Sequence, residues 1–268
     1  MKLHVLMDNN TYIDQYYLGE PAASYYIEAG ECRILFDTGY SDAFLYNADK
    51  LGIDLGKLTH IVLSHGHNDH TGGLKYLKER FDLQAAELIA HPDCFVPRRA
   101  LEGDIGSPVS AEEMQGCCRM HLTREPVWLN EACAFLGEIP VRLPFETPKN
   151  VGQRRTENGW EADYVTEDSA LAFRTSKGLF IVTGCSHCGV CNIVEQAKKV
   201  CGEERIAGII GGFHLFDVDD RSKETIRYLA GLEADMLYPC HCVSFAVKAK
   251  MSETVPVFEV GTGLVLEL

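Results

Sequence analysis

With 268 residues, 46% of them hydrophobic, the chain can bury a sizeable core, and its formal charge of −14 argues against nucleic-acid partners, because a phosphate backbone needs a cationic face to displace its counterions. No run of about 18 apolar residues is present to span a membrane, and Met1-Lys2 leads straight into a mixed strand without the apolar stretch of a signal peptide. The expectation is a cytoplasmic protein of one domain, residues 1–268, whose eleven cysteines are reduced thiols or metal ligands and not a set of bridges.

In chain order, strands are expected at Leu3–Met7 and, as a hairpin turned at Ala29-Gly30, at Ser24–Glu28 and Cys32–Asp37. A helix over Ser41–Leu51 follows, with Phe44, Leu45 and Ala48 on one face. The stretch Thr59 to Gly73 carries the strongest signal. Ile61-Val62-Leu63 reads as a buried strand, and it empties into His65, His67, Asp69 and His70; Leu74, Leu77 and Phe81 then recur at helical spacing. Four ligand-type side chains therefore sit on one strand-to-helix turn. His65 and His67 can share one side of it, while Asp69 and His70 face a second position, so one cluster could serve two metals. Imidazole and carboxylate donors suit zinc, iron or manganese, and Asp69 can orient a metal-bound water. Gly66, Gly72 and Gly73 let other backbone come close.

Ala86–Ala90 reads as a strand that ends at His91-Pro92, which sets His91 near the same rim as a supporting residue. From 93 to 160 the pattern weakens under repeated Gly and Pro, with only a strand near Cys133–Leu136, and this stretch reads as an insertion shaping the substrate entrance. Its basic residues, Arg98-Arg99, Lys149 and Arg154-Arg155, could grip an anionic group on a small-molecule substrate. The second half repeats the β-then-α plan. It comprises a hairpin of Ala170–Arg174 and Leu179–Thr183, a helix over Asn192–Val200, and a strand Ile206–Ile210 leading to His214. A helix over Glu224–Leu232, a strand Met236–Tyr238 leading to His241, and a closing hairpin of Val255–Val260 with Leu264–Leu268 complete it. Two such halves predict an α/β fold, a four-layer αββα sandwich with the metal site at one edge of the sheets.

The spacing His-x-His-x-Asp-His followed by Thr-Gly-Gly resembles the metallo-β-lactamase superfamily, and Leu35-Phe36-Asp37-Thr38-Gly39 resembles its first motif. Thr183-Gly184-Cys185-Ser186-His187, Gly211-Gly212-Phe213-His214-Leu215, Pro239-Cys240-His241-Cys242, Gly137-Glu138-Ile139-Pro140 and Phe145-Glu146 are similar to one branch of it. That branch is the metal-dependent hydrolases resembling 7,8-dihydropterin-6-methyl-4-(β-D-ribofuranosyl)aminobenzene 5′-phosphate synthase. The resemblance implies two divalent transition metals and a bridging hydroxide, oriented by Asp69, that attacks a phosphate or carboxylic ester. It also implies a phosphorylated or pterin-like substrate, with a synthase-type transferase as the alternative. It places Asp37 behind the ligands, His187 and His241 among them, and His214 in the pocket as proton donor or phosphate contact, with a swap of His214 and His241 left open. Cys185 stands where many members carry a bridging Asp, and Asp163, Glu167 and Asp168 are carboxylates that could take that part. A rival comes from Cys185-x-x-Cys188-x-x-Cys191, a spacing that could hold a [4Fe-4S] cluster with Cys240 or Cys242 as fourth thiolate and make the chain an iron–sulfur redox protein. A metal-binding sensor without turnover is a third reading.

Overall fold

The computed structural model describes residues 1–101 and 103–268. Its larger sheet has seven strands in the order 265–267, 2–7, 24–29, 32–36, 60–62, 87–90, 119–122, and the last four of these run parallel to one another. A second sheet has six, in the order 236–239, 206–211, 178–183, 170–175, 133–135, 127–128, with its first three parallel. Parallel strands buried on both faces read as continuous apolar runs, and Gly178–Thr183 and Ile206–Gly211 are buried at every residue.

The two sheets pack face to face over one core in which Phe36, Phe135, Phe173 and Phe180 interleave with Val62, Val182 and Ile210. Burying each such ring is worth about 1.5–3 kcal/mol relative to leaving it in water. On the outer face of the first sheet lie helices Ala43–Lys50, Leu74–Arg80 and Ala111–Gln115, which contribute Phe44, Leu45, Leu74, Leu77 and Met114 to a second core. The second sheet is covered by Val190–Cys201, Asp220–Ala230 and Phe245–Met251, with Ile193, Val194, Ile226 and Val247 in a third. The layers are thus α, β, β, α, as expected. No helix among the described residues is long and apolar enough to cross a membrane.

In three places the structure departs from the sequence-based expectation. The stretch 93–160 is richer than its broken pattern suggested: Arg119–Leu122 completes the first sheet, and Val127–Trp128 and Cys133–Phe135 complete the second. Arg98–Ala100, Gly103–Asp104, Gly152–Thr156 and Gly159–Asp163 form a separate four-stranded sheet. Most of these strands are two to five residues long and half exposed, so their pairing is set by partners distant in sequence and not by alternation. The closing hairpin is absent. Val265–Glu267 pairs with Lys2–His4, and Val255–Val260 merely flanks Met236–Pro239, bonding Leu237 N to Pro256 O at 2.9 Å. Pro256 has no N–H to give a ladder. Finally, Phe245–Met251 is a helix, started by Ser244, whose Oγ accepts from Val247 N at 3.2 Å.

The parallel strands place their carboxyl ends along one edge of the sandwich. There the chain passes from Phe36 to Asp37, from Val62 to Ser64 and His65, from Thr183 to Cys185, from Gly211 to His214 and from Pro239 to His241. Crevices at the carboxyl ends of parallel strands are where open α/β sheets bind ligands.

Candidate metal centre

Along this edge the residues after four strands adopt left-handed backbone without being glycine: Asp37 (φ 57°), Ser186 (φ 58°), His214 (φ 49°) and His241 (φ 52°). Such conformations are uncommon for non-glycine residues and cluster where a chain must turn sharply to aim a side chain. The histidine turn itself leaves the strand His60–Val62 at Ser64. His67 stands at the N-cap of the short helix Asn68–Thr71, which carries Asp69 and His70. Gly66, between the two leading histidines, admits no side chain, since a Cβ there would lie 2.2 Å from Cys94 O and 2.5 Å from Arg98 Nη1.

The donors converge. His65 Nε2 is 3.1 Å from His67 Nδ1, and the rings of His65, His67 and His187 have centroids 4.7, 4.8 and 5.0 Å apart. His67 Nε2 and His187 Nε2 are buried without any hydrogen-bond partner. Buried polar atoms are ordinarily satisfied, so these two mark a place for an ion. Next to them, His70 Nε2 lies 3.2 Å from His241 Nε2, 3.2 Å from Cys185 Sγ and 3.5 Å from Asp69 Oδ2, while His241 Nε2 is 3.3 Å from that same carboxylate oxygen. Asp69, His70, Cys185 and His241 offer donor atoms all within 4.8 Å of one another, as do His65, Cys185 and His187, and as do His65, His67 and Asp69. Imidazole, carboxylate and thiolate in this mixture match zinc or iron, whose sites favour these ligand types. The residues present therefore fit two divalent transition ions.

The two halves of the cluster differ in protonation. Burial, reinforced by neighbouring imidazoles, pushes His65 and His187 well below the usual histidine range, and burial brings His67 down to about 4. Burial acts the same way on His70, but the Asp69 and Asp37 carboxylates outweigh it and raise His70 to about 9. Asp69, despite burial, is held well below the usual carboxylate range by His70 and His241.

Behind the ligands, Asp37 is fully buried and accepts from Ser64 N at 2.7 Å and Ser64 Oγ at 2.7 Å, and its Oδ2 lies 2.7 Å from His70 Nδ1. Ser64 Oγ also meets His65 Nδ1 at 2.9 Å. One carboxylate thereby orients a histidine in each half. Asp37→Asn is expected to lower metal affinity or activity about 10- to 100-fold, the usual effect of removing an outer carboxylate from a ligating histidine. A metal titration and a rate both equal to those of the unaltered protein would count against that placement.

Other sequence-derived candidates lie elsewhere. His91 has both ring nitrogens engaged, Nδ1 by Asp93 N at 3.1 Å and Nε2 with Glu138 Oε2 at 3.2 Å, and it closes a strand without touching the cluster. Asp163 and Glu167 are not among the converging donors; they flank Arg98, which is about 1% exposed, with Nε donating to Asp163 Oδ2 at 2.9 Å and Nη2 2.6 Å from Glu167 Oε1. Glu167 in turn accepts from Gly66 N at 3.4 Å, joining this buried group to the histidine turn. Burial, with Asp163 adding to it, raises Glu167 to about 7 against the pull of Arg98. Asp168 accepts from Cys188 N at 3.1 Å and Cys188 Sγ at 3.0 Å. The [4Fe-4S] ligand set is not brought together: Cys188 is held by Asp168, Cys191 packs in the core under the helix Val190–Cys201, and Cys240 Sγ meets Tyr25 Oη at 3.3 Å. Six residues on from Cys185 the chain has turned into that helix, which carries the Cys191 thiol into the core, while Cys188, just before the Gly189 N-cap, is turned to Asp168.

The basic pairs do not form one anion grip. Arg98 points inward while Arg99 stacks on Trp160 at 4.2 Å, because neighbours along a strand face opposite sides; Arg154 meets Asp93 at 3.4 Å, and Lys149, outside the strands, lies 3.9 Å from Asp219. Sequence reasoning missed Asp8 and Asn9, which receive His241 N at 3.0 Å and face its Nδ1 at 3.0 Å. The signal was available, since both directly follow a strand as the other site residues do. Of the two late histidines, His241 joins Asp69 and His70, whereas His214 lies with its ring 4.2 Å from His187 and its Nδ1 buried without a partner.

A cavity of about 330 Å³ opens on this centre, lined by Pro21, Tyr40, His67, Asn68, Asp69 and Ile105. Tyr40 and Asn68 are also part of the wall of a larger one, about 800 Å³, which includes Tyr76, Phe95, Lys75 and Trp160.

Residues 18–191 match the family described as the metallo-beta-lactamase superfamily. The chain is 34% identical over 232 residues to the 7,8-dihydropterin-6-methyl-4-(beta-D-ribofuranosyl)-aminobenzene-5'-phosphate synthase of Methanocaldococcus jannaschii, covering 82% of this chain and 79% of that one. It is 31% identical to an uncharacterized protein of the same organism, over 94% of each. Among solved structures, a metal-dependent hydrolase of the beta-lactamase superfamily, Tm1679, superposes with a TM-score of 0.87 at 28% identity, over 100% of this chain and 99% of that one.

Proposed function

The chain belongs to the metallo-beta-lactamase superfamily, and from that premise we propose that it is a hydrolase of phosphate or carboxylic esters that works with two divalent transition ions. The observation that carries this reading is the convergence of Asp69, His70, Cys185 and His241 beside His65, His67 and His187, at the mouth of a cavity. Two ions held there would supply Lewis acidity and activate a water for attack at neutral pH. His65, His67 and His187 would hold one ion and Asp69, His70 and His241 the other, with Cys185 in reach of both. Asp69 stays ionised beside His70 and His241, so it can accept a hydrogen bond from the attacking water and fix its direction. Asp37 and Ser64 hold the imidazoles of His70 and His65 in register. The substrate is a small molecule, phosphorylated or pterin-like, whose reacting ester lies in the smaller cavity and whose remainder extends past Tyr40 and Asn68 into the larger. Asp104 and Gly106 to Ser110 of the stretch 93–160 line the larger cavity and Ile105 the smaller, which supports the reading of this stretch as shaping the entrance.

A second reading, synthase-type transfer onto a pterin, is favoured by the 34% identity to the named M. jannaschii synthase. Phosphomonoester, phosphodiester and lactone panels, run on chelated and on metal-reloaded protein, separate the two. Hydrolysis restored only by reloading is the expected result. A fully loaded protein that cleaves none of these, yet forms a coupled product and releases the leaving group when a pterin carrying a leaving group on its exocyclic methyl carbon is supplied with a phosphoribosyl-aminobenzene, would replace the first reading by the second.

A further inference from the structure

Cys185, His214 and Cys242 offer donor atoms that also lie within 4.8 Å of one another, and we propose that they hold a third, thiophilic metal ion. The inference rests on the dinuclear reading only in that the other six ligands are taken as engaged there. Each of those two sets supplies three protein ligands, the number a catalytic zinc position with an open site uses, so neither needs His214 or Cys242, and Cys185, which reaches both sets, also lies within reach of these two as a shared thiolate.

The local structure is shaped around Cys242. A Cβ on Gly212 would stand 2.4 Å from Cys242 Sγ, so the bare glycine is what lets this thiol reach the cluster. His214 N donates to the same sulfur at 3.3 Å, the kind of contact that stabilises a thiolate. His214 takes a left-handed backbone, and its Nδ1 is buried with no partner although Phe216, His187 and the two cysteines surround it. Cys242 as a residue is half-buried, whereas Cys185 is buried. Two sulfurs and one imidazole make a softer set than the carboxylate-bearing one beside it. Such donors select zinc, cadmium or copper(I) and discriminate against manganese and magnesium.

Zinc content at saturation, with cadmium substitution read through the thiolate-to-metal absorption, tests this. The unaltered protein is expected to take about three zinc ions per chain, and Cys242→Ser and His214→Ala each about two. Cys242→Ser should also lose most of the cadmium–thiolate absorption, while His67→Ala keeps it and loses ions from the other sets. Cys188→Ser, remote from the trio, should alter neither reading. Saturation of the unaltered protein at two ions overturns the proposal, as does a Cys242 thiol that stays open to alkylation in the zinc-saturated protein, and both can be read without any variant. Failure of the dinuclear reading looks different, because His67→Ala would then retain the full complement of ions.

Discussion

His67→Ala should strip the centre of most of its metal. His67 Nε2 is buried, lacks any partner and stands among His65, His187 and Asp69. Alanine would leave two imidazoles to hold that ion, and the loss should exceed the roughly 10- to 100-fold that follows removal of an outer partner. The residue is neutral well into the acid range, burial having brought it down to about 4, so no proton competes for its lone pair near pH 7. Elemental analysis after equilibrium dialysis decides the matter. A variant that keeps its ions with unchanged affinity would remove His67 from the ligand set.

Arg98→Met should cost about 3–5 kcal/mol of stability, the range for breaking a buried ion pair from one side. The guanidinium is enclosed, with Asp163 at 2.9 Å, Glu167 at 2.6 Å and Val96 O at 2.9 Å from its three nitrogens. Without it two carboxylates remain buried and unpaired. The loss depends on pH with a definite sign. Glu167 already has a folded pKa of about 7 against an ordinary 4.5, so the folded form binds its proton more tightly, and stability falls as pH rises through that window. Removing Arg98 takes away what held Glu167 down and extends the window upward. The defect should therefore be largest at neutral and alkaline pH and smallest near pH 4. Urea melts across this range check it, and a variant with the midpoint of the unaltered protein at pH 8 would show that the group is not a keystone under Gly66.

How the site could be read from sequence follows from how its parts are encoded. His65, His67, Asp69, His70 and Asp37 lie within a few residues of apolar strands, so the local pattern places each at a strand end, and the structure finds them there. His187 and His241 were legible for the same reason, together with the family resemblance. Arg98 was misjudged because exposure is not a local property: an Arg-Arg pair looks solvated until a strand from residues 152–156 pairs with it and carries one member inward. Cys188 and Cys191 shared a suggestive spacing with Cys185, but the start of a helix between them set the directions of the thiols, and spacing alone carries no direction. The small third sheet escaped because its strands owe their form to tertiary pairing.

The left-handed turns at Asp37, Ser186, His214 and His241 bear on how long the molecule survives. Each such conformation costs about 1–3 kcal/mol, and whole domains are stable by only about 5–15 kcal/mol. These four sit together where three buried ring nitrogens have no partner, at His67, His187 and His214. Ions that bind the folded edge and not the unfolded chain offset this misfit by mass action. A chain starved of metal would then be a poorly folded protein before it was an idle one, open to degradation through its unfolded fraction. Cellular abundance of the polypeptide would follow metal supply, with no dedicated sensor required.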